Sequence, residues 1–300
     1  MRAFYSFLRK STIICLVSFY IPFSYLSAQD MPQKISVEIC HCLGSVTSID
    51  SLDTRLDSCA YLALETVFGD ASDEIQELYS TDEAVEDVMN KAIERLLTDC
   101  PDLRRIIIEG RKKNYYRMSD SEAANNYYQS GNEAFEKKDF KGAIKLYGKA
   151  LKKDQEFIYA IDNTGLAYRQ MNDNKNAIKY YRKSLSIYPE GSFALQNLGV
   201  AYININLLPE AMDCYDKLAY FYPEDPEGYF GIGKVYILSE QYDKAIDYVF
   251  IAHKIYSYSG SEYIKDTEAL AIKIFNKLKE ENKTELFRQK AAEYGINLNL

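Results

Sequence analysis

A glycine recurs every 34 residues through the middle of this 300-residue chain, and an alanine follows each glycine at an interval of 12 residues. The glycines are Gly131, Gly165, Gly199 and Gly233, and the alanines are Ala143, Ala177, Ala211 and Ala245. Small residues at one fixed period over four copies indicate a repeated structural unit. A period of this length predicts stacked helix pairs in an α-solenoid, an architecture that serves binding more often than catalysis.

Bulky residues keep fixed positions around these small ones. In the third copy, Leu195, Leu198 and Tyr202 lie at spacings of three, four and seven residues, which places them on one helix face. The small residues are expected where the two helices of a pair cross, because a short side chain lets the backbones approach, and the bulky residues fill the space around the crossing. Pro189 and Pro223 are expected to end second helices, because proline lacks the N–H of the helical hydrogen bond.

This pattern resembles the tetratricopeptide repeat family over residues 124–257, in four copies without insertion or deletion. The resemblance implies an all-α fold with one antiparallel helix pair per repeat, wound into a right-handed superhelix. It also implies a concave groove, lined by the first helix of each pair, that binds peptides or protein segments. The first and fourth copies depart from the pattern, as end repeats usually do. The departures are Ser130, Ala134, Val249 and Ser257.

The family register assigns a set of first-helix residues to this groove. These are Tyr128, Asn132, Phe135, Tyr159, Asn163, Leu166, Arg169, Phe193, Gln196, Asn197, Val200, Phe230 and Lys234, and the register also turns Asp162 toward the concave side. A known subfamily grips the C-terminal carboxylate of chaperone tails with groove lysines, but Tyr128 and Phe193 stand where lysines are needed. The groove instead suits an apolar or amphipathic segment, with Asn and Gln side chains bonding its backbone. Two alternatives stay open: these side chains pack between repeats, or the protein's own N-terminal domain fills the groove.

Residues 258–300 lack the repeat signature. Amphipathic runs over 262–279 and 283–294, the second followed by Gly295, predict two further helices. We interpret them as a C-terminal helical cap that shields the last repeat from solvent.

The first 28 residues have the pattern of a secretory signal peptide. Arg2, Arg9 and Lys10 precede an apolar stretch over 12–26, and Ala28 is a small residue before the polar start of the next segment. This predicts an exported protein, in the bacterial periplasm or cell envelope, with secretion as the alternative.

Residues 29–118 predict a small helical domain that contains four cysteines. Helical patterns fall at 32–43, 51–68, 71–80, 82–98 and 102–113. In an exported chain, Cys40, Cys42, Cys59 and Cys100 predict two disulfides. Cys40 and Cys42 point about 200° apart on a helix, so they should not pair with each other, and the two remaining pairings stay open. A metal site including His41 is the weaker alternative, because C-x-C is poor ligand spacing.

The boundary between this domain and the repeats at 119–257 lies in a basic run. The run comprises Arg104, Arg105, Arg111, Lys112, Lys113 and Arg117. Nucleic-acid binding does not fit an exported chain with a net charge of −8, so the run indicates a solvated helix face or internal ion pairs. Ser119 and Glu122 have the spacing of a capping box at the start of the first repeat helix.

No catalytic motif occurs, and the chain has only two histidines, His41 and His253. The acidic residues have the spacing of solvated helix faces. The sequence therefore predicts a non-enzymatic protein–protein interaction adaptor without a metal or other cofactor, and without an evident small-molecule substrate. The alternative is a structural or assembly subunit of a permanent envelope complex or homo-oligomer.

Overall fold

The computed structural model describes residues 30–44, 46 and 48–297, and over these residues the protein consists of fifteen α-helices without a strand. Five helices precede the repeats: α1 (Met31–Leu43), α2 (Ile49–Gly69), α3 (Asp73–Leu78), α4 (Asp82–Asp99) and α5 (Pro101–Tyr115). Four pairs follow: α6 (Glu122–Glu136) with α7 (Phe140–Lys153), α8 (Ile158–Gln170) with α9 (Asn174–Ile187), α10 (Ser192–Asn204) with α11 (Leu208–Phe221), and α12 (Pro226–Leu238) with α13 (Tyr242–Ser259). The chain ends with α14 (Ile264–Glu280) and α15 (Thr284–Tyr294). The all-α prediction is confirmed, whereas the predicted signal peptide, 1–28, lies outside the described residues.

The periodic glycines mark the helix crossings that the sequence predicts. A Cβ atom added to Gly165 would lie 2.7 Å from the ring of Tyr181, which is closer than real contacts allow. The same close approach joins Gly131 to Tyr147 and Gly199 to Tyr215, and in the fourth repeat Gly233 to Val249. Each aromatic ring therefore fills the space that a missing side chain leaves, and these rings are almost fully buried.

A second feature of the repeats lies in the backbone. The residue that turns the chain from the first helix to the second has a positive φ in every repeat, and these residues are again 34 positions apart. They are Lys138 (φ 60°), Asn172 (59°), Asn206 (60°) and Glu240 (58°). A left-handed residue at the same place in each pair gives every turn the same backbone path, although the residue type changes.

The start of the first repeat helix differs from the prediction. The residue that caps α6 is Ser121, whose hydroxyl accepts a hydrogen bond from the Ala124 amide. Ser119, the predicted cap, instead donates its hydroxyl to Asp154 Oδ2 at 2.6 Å, in the loop after α7. The capping-box prediction is therefore wrong, because Ser119 connects two helix ends rather than terminating one.

Two disulfides hold the N-terminal helices together around α1. Cys40 is bonded to Cys100 and Cys42 to Cys59, with Cα atoms 5.5 Å apart in both pairs. The structure thus selects one of the two pairings that the sequence leaves open, and it uses all four thiols. Cys214 is buried in α11, where burial raises the pKa of its thiol to about 12.

Helix α5 joins this domain to the solenoid. Arg104 donates a 2.6 Å hydrogen bond to the Tyr220 carbonyl and lies over the ring of the same residue. Arg111 forms a 2.8 Å ion pair with Glu190, in the loop between α9 and α10. Ile108 belongs to the apolar cluster of the third and fourth repeats. Part of the basic run is therefore internal, as the sequence suggests, while Arg105 and Arg117 are exposed.

The C-terminal helices pack on the last repeat. Phe250 of α13 contacts Phe287 of α15 edge to face, and Ile274 and Leu278 of α14 join the same buried cluster. Gly295 ends α15 with a left-handed conformation (φ 67°). No helix among the described residues combines the length and apolar character needed to cross a membrane. The predicted domain boundaries near 28, 118 and 257 stay predictions.

Candidate partner-binding groove

The predicted groove residues lie on α6, α8, α10 and α12, the first helices of the four pairs. All are half-buried except Asn197 and Asp162, which are buried with 8% and 2% exposure. From the second pair onward, each first helix packs between the second helix of its own pair and that of the preceding pair, and α10 also contacts α8 and α12. The side chains of successive first helices are therefore neighbours along one surface, which we call the groove face.

Polar side chains at the first repeat boundary bond to one another. Asn163 Nδ2 donates to the Tyr128 hydroxyl at 3.1 Å and to Asn132 Oδ1 at 3.0 Å. Tyr147 of α7 donates to the same Asn132 oxygen at 2.8 Å. Tyr128 also packs its ring against Tyr159, with centroids 6.1 Å apart. These bonds hold the first two repeats in register. They also occupy the side-chain N–H groups of Asn163, which could otherwise donate to a partner's backbone carbonyls.

A similar connection joins the third and fourth repeats. Gln196 Nε2 donates to Glu227 at 2.5 Å, and the Tyr256 hydroxyl donates to the other oxygen of the same carboxylate. Burial raises the pKa of Tyr256, and the hydrogen bond to Glu227 raises it further. Asn197 donates to the Phe193 carbonyl one turn earlier in its own helix, at 2.8 Å. The sequence predicts that Gln196 and Asn197 bond the backbone of a partner. In the structure their side-chain N–H groups donate to groups within the solenoid instead.

The apolar groove residues are less enclosed. Phe135 packs edge to face on Phe140, Phe193 joins the cluster around Tyr181, and Phe230 lies near Tyr256. Lys234 places its ammonium 5.5 Å from the Phe230 ring. Leu166 and Val200 are half-buried at equivalent positions of α8 and α10. Part of each of these side chains remains accessible to a binding segment.

Arg169 brings a positive charge to the groove face. It is half-buried on α8, and its Nε is buried without a hydrogen-bond partner among the described residues. Burial raises the pKa values of Tyr181 and Tyr215, and the positive charge of Arg169 partly opposes this rise. Arg169 therefore lies between the tyrosines of two successive repeats.

The segment after α5 covers the edge of the groove face. The Tyr116 hydroxyl donates to Asp162 Oδ2 at 2.6 Å, and the Tyr116 ring packs edge to face on Tyr159. Asp162 is 2% exposed, and burial raises its pKa to about 6. The prediction that Asp162 lines the open groove is therefore wrong, because the preceding domain closes over it. The only sign of this contact in the sequence is that Tyr116 is an aromatic residue inside a basic run.

Groups suited to catalysis or to metal binding do not converge on this face. Within the described residues, no three His, Cys, Asp or Glu side chains come together as a metal-binding cluster. His253 lies on α13, and its Nδ1 is 2.9 Å from the hydroxyl of Thr267 on α14. Burial lowers the pKa of His253. The polar groups of the groove face serve the packing of the repeats, and its apolar side chains remain partly accessible.

Comparison with known proteins agrees with the geometry. The family model described as Tetratricopeptide repeat matches residues 160–190, which span α8 and α9. No curated protein is similar in sequence to this chain. Among solved structures, MamA (41-end) from Desulfovibrio magneticus RS-1 matches with a TM-score of 0.50 and 14% identity, over 59% of this chain and 96% of that one. A double mutant of MamA RS-1 matches with a TM-score of 0.50 and 13% identity, over 59% of this chain and 95% of that one.

A thermophilic TPR protein of Thermus thermophilus, TTC0263, has a TM-score of 0.40 and 15% identity, over 57% of this chain and 98% of its own length. At these identities the MamA likeness concerns the fold alone. Residues 160–190 therefore match the tetratricopeptide repeat family, and the fold is that of tetratricopeptide repeat proteins. Proteins of this fold are in general protein-interaction modules rather than catalysts.

Proposed function

We propose that this protein is an exported, non-enzymatic adaptor that binds an apolar or amphipathic segment of a protein partner on its groove face. The observation that carries the proposal is the row of partly accessible apolar side chains on consecutive first helices. Leu166, Phe193, Val200 and Phe230 are each half-buried. Because the neighbouring polar groups are already bonded between repeats, this surface is pre-organised, which lowers the entropic cost of binding.

The proposed compartment rests on two features of the chain. The first 28 residues have the pattern of a signal peptide, and four of the six cysteines form disulfides. Disulfides persist in oxidising compartments. The bacterial periplasm or envelope is therefore the location that we propose, with secretion as the alternative.

The test compares partner capture by the full chain with capture by a groove variant, Phe193→Asp with Phe230→Asp. The matched control is Tyr180→Asp with Tyr248→Asp, which introduces the same charges at half-buried aromatic residues of second helices. We expect a partner from envelope extract to bind the wild type and the control, and to be lost from the groove variant. Circular dichroism should show equal helix content in all three proteins. Equal capture by the groove variant would contradict groove binding.

A specific observation favours a second candidate, a subunit of a permanent assembly. Large apolar residues are exposed at the turns between first and second helices, along one edge of the solenoid. They are Met171 (38%), Ile205 (36%), Leu207 (39%) and Leu238 (48%). Large apolar residues exposed at the same edge of successive repeats are typical of an assembly interface. The test is the mass in solution of the wild type and of Leu207→Ser, measured over a dilution series. A wild-type mass that falls to that of the monomer, with the same masses for the variant, would contradict a permanent homo-oligomer.

A further inference from the structure

The disulfide-linked N-terminal domain has an apolar cleft of its own. It lies between α2, α3 and α4, is open to solvent, and has a volume of about 460 Å³. It is lined by Leu64, Phe68, Gly69, Gln76, Tyr79 and Val85. Phe68 and Tyr79 pack edge to face with centroids 5.5 Å apart. These elements are separate from the groove face, so the cleft has no part in the proposed groove binding.

Apolar surface continues beyond the cleft along α2. Helical spacing places Tyr61 on the same face as Leu64 and Phe68, one turn earlier, and Tyr61 is 63% exposed. Leu78, the neighbour of Tyr79 at the end of α3, is 57% exposed. An exposed strip of large side chains beside an open cleft is typical of a surface that a partner covers.

The same three helices account for the net negative charge of the chain. Between Arg55 and Lys91 there is no lysine, arginine or histidine, but there are ten acidic residues, all of them exposed. They are Asp57, Glu65, Asp70, Asp73, Glu74, Glu77, Asp82, Glu83, Glu86 and Asp87. The ten negative charges of this segment therefore exceed the net charge of −8 that the whole chain has. These carboxylates are solvated, as their spacing predicts, but they are concentrated on and between the three helices that form the cleft.

We propose that this cleft binds a basic amphipathic helix from a partner protein. The apolar face of such a helix would lie against Leu64, Phe68 and Val85, as in other helix-in-groove complexes. Its lysines and arginines would lie near the acidic residues that flank these positions on α2 and α4. A small molecule would need a more enclosed site, because most of its surface must be buried. The concentrated negative charge selects a cationic partner and accelerates its association.

The probe is a fluorescent amphipathic helix built only of leucine and lysine, titrated with the full chain. Its control is a leucine–glutamate peptide with the same apolar face. Glu65→Lys, Glu77→Lys and Glu86→Lys together form the cleft variant, and Glu133→Lys, Glu136→Lys and Glu156→Lys form the matched control on the repeats. All six residues are exposed, so both variants should fold. Fluorescence anisotropy at low and high salt gives the dissociation constants.

We expect the cleft variant to weaken binding of the leucine–lysine peptide at least about tenfold at low salt, and the repeat control by less than about twofold. Salt should weaken wild-type binding, because exposed charges are screened. Tyr61→Ser, an exposed change that leaves the charge unaltered, should weaken binding as well and so tests the apolar contact separately. The leucine–glutamate peptide should bind far more weakly than the leucine–lysine peptide.

Four results would overturn the proposal. Equal losses in the cleft variant and in the repeat control would show attraction to acidic surface in general. Loss of the peptide on Phe193→Asp would place it on the groove face. An altered oligomeric mass in the cleft variant, with unchanged peptide affinity, would assign the cleft to a second copy of this chain. Absence of binding at micromolar concentrations would also contradict it.

Discussion

The N-terminal domain and the solenoid achieve stability in different ways. In the repeats, every helix pair makes the same kind of contact: a bulky side chain packs against a glycine at the helix crossing, beside a buried alanine. Each added pair therefore extends the core by one unit. The N-terminal helices have no repeated contact. Their core centres on Ile35 and Ile39 of α1, and two covalent bonds connect α1 to α2 and to the end of α4. A short segment with a small core needs such bonds, whereas a stack of repeats does not.

The largest expected effect follows from removing one of these bonds. Cys40→Ser with Cys100→Ser opens a loop with a sequence separation of 60 and should lower the unfolding free energy of the N-terminal domain by about 4 kcal/mol. Cys42→Ser with Cys59→Ser opens a separation of 17 and should cost about 3 kcal/mol. Hydrogen exchange should show lost protection in α1 and α4 but not in α8–α11. Equal loss of protection in the repeats would mean that the two regions unfold as one unit.

The junction between the regions should respond to pH through Asp162. Burial raises the pKa of this carboxyl in the folded protein to about 6, whereas in the unfolded chain it is about 3.9. Stability from this group is therefore complete below pH ~4 and is lost as the pH rises through about 6. The loss is on the order of 2–3 kcal/mol.

Asp162→Asn removes this titration. The difference in unfolding free energy between wild type and variant, measured in urea at several pH values, should shift in favour of the variant between pH ~4 and ~7. Glu133→Gln, an exposed change on α6, is the control. A difference that does not depend on pH would contradict the role of burial at Asp162.

A smaller effect is expected at the helix crossings of the repeats. Gly165→Ala places a Cβ 2.7 Å from the Tyr181 ring and should lower stability by about 2 kcal/mol, because the neighbouring helices must separate. Gly148, also inside a repeat helix, has no atom within 4 Å of an added Cβ. Gly148→Ala should therefore raise stability by up to about 1 kcal/mol. Urea unfolding of both variants tests the difference, and equal signs would contradict the packing explanation.

The smallest effect is expected at the left-handed turns. Lys138 and Glu240 have φ values of 60° and 58°, in a region that costs an L-residue with a side chain about 1 kcal/mol. Replacing either residue with glycine should raise the melting temperature slightly. Asn172→Gly should gain less, because asparagine tolerates this conformation. A larger gain at Asn172 than at Glu240 would show that side-chain contacts outweigh the backbone in these turns.

The fold was largely predictable because its determinants are local and repeated. The 34-residue period predicts the helix pairs, and the Gly165–Tyr181 contact follows from the same periodicity. The position of α5 could not be predicted, because Arg104 binds the main-chain carbonyl of Tyr220, a group that every residue type offers. The left-handed turns were not predictable for a related reason: their backbone is periodic, but Lys138 and Glu240 share no side-chain chemistry with asparagine.

The groove was less predictable than the fold. Family register places Asn163 and Gln196 on the first helices, but it does not say whether their amides face a partner or the next repeat. That choice depends on distances to Tyr128 and Glu227 that only the assembled repeats define. Asp162 shows the same limit, since its burial results from Tyr116, which precedes the repeats in sequence.

The connectivity of the two disulfides has a consequence for how the chain matures. The bonds are nested, because Cys42–Cys59 lies inside the loop closed by Cys40–Cys100. As the chain emerges N-terminus first, Cys59 becomes available before Cys100, and Cys40 can reach it through a loop only two residues longer than that of Cys42. Loop closure hardly distinguishes such similar lengths. A substantial fraction of newly made chains should therefore form Cys40–Cys59 first and reach the native pairing only through thiol–disulfide exchange, so maturation should be accelerated by a disulfide isomerase.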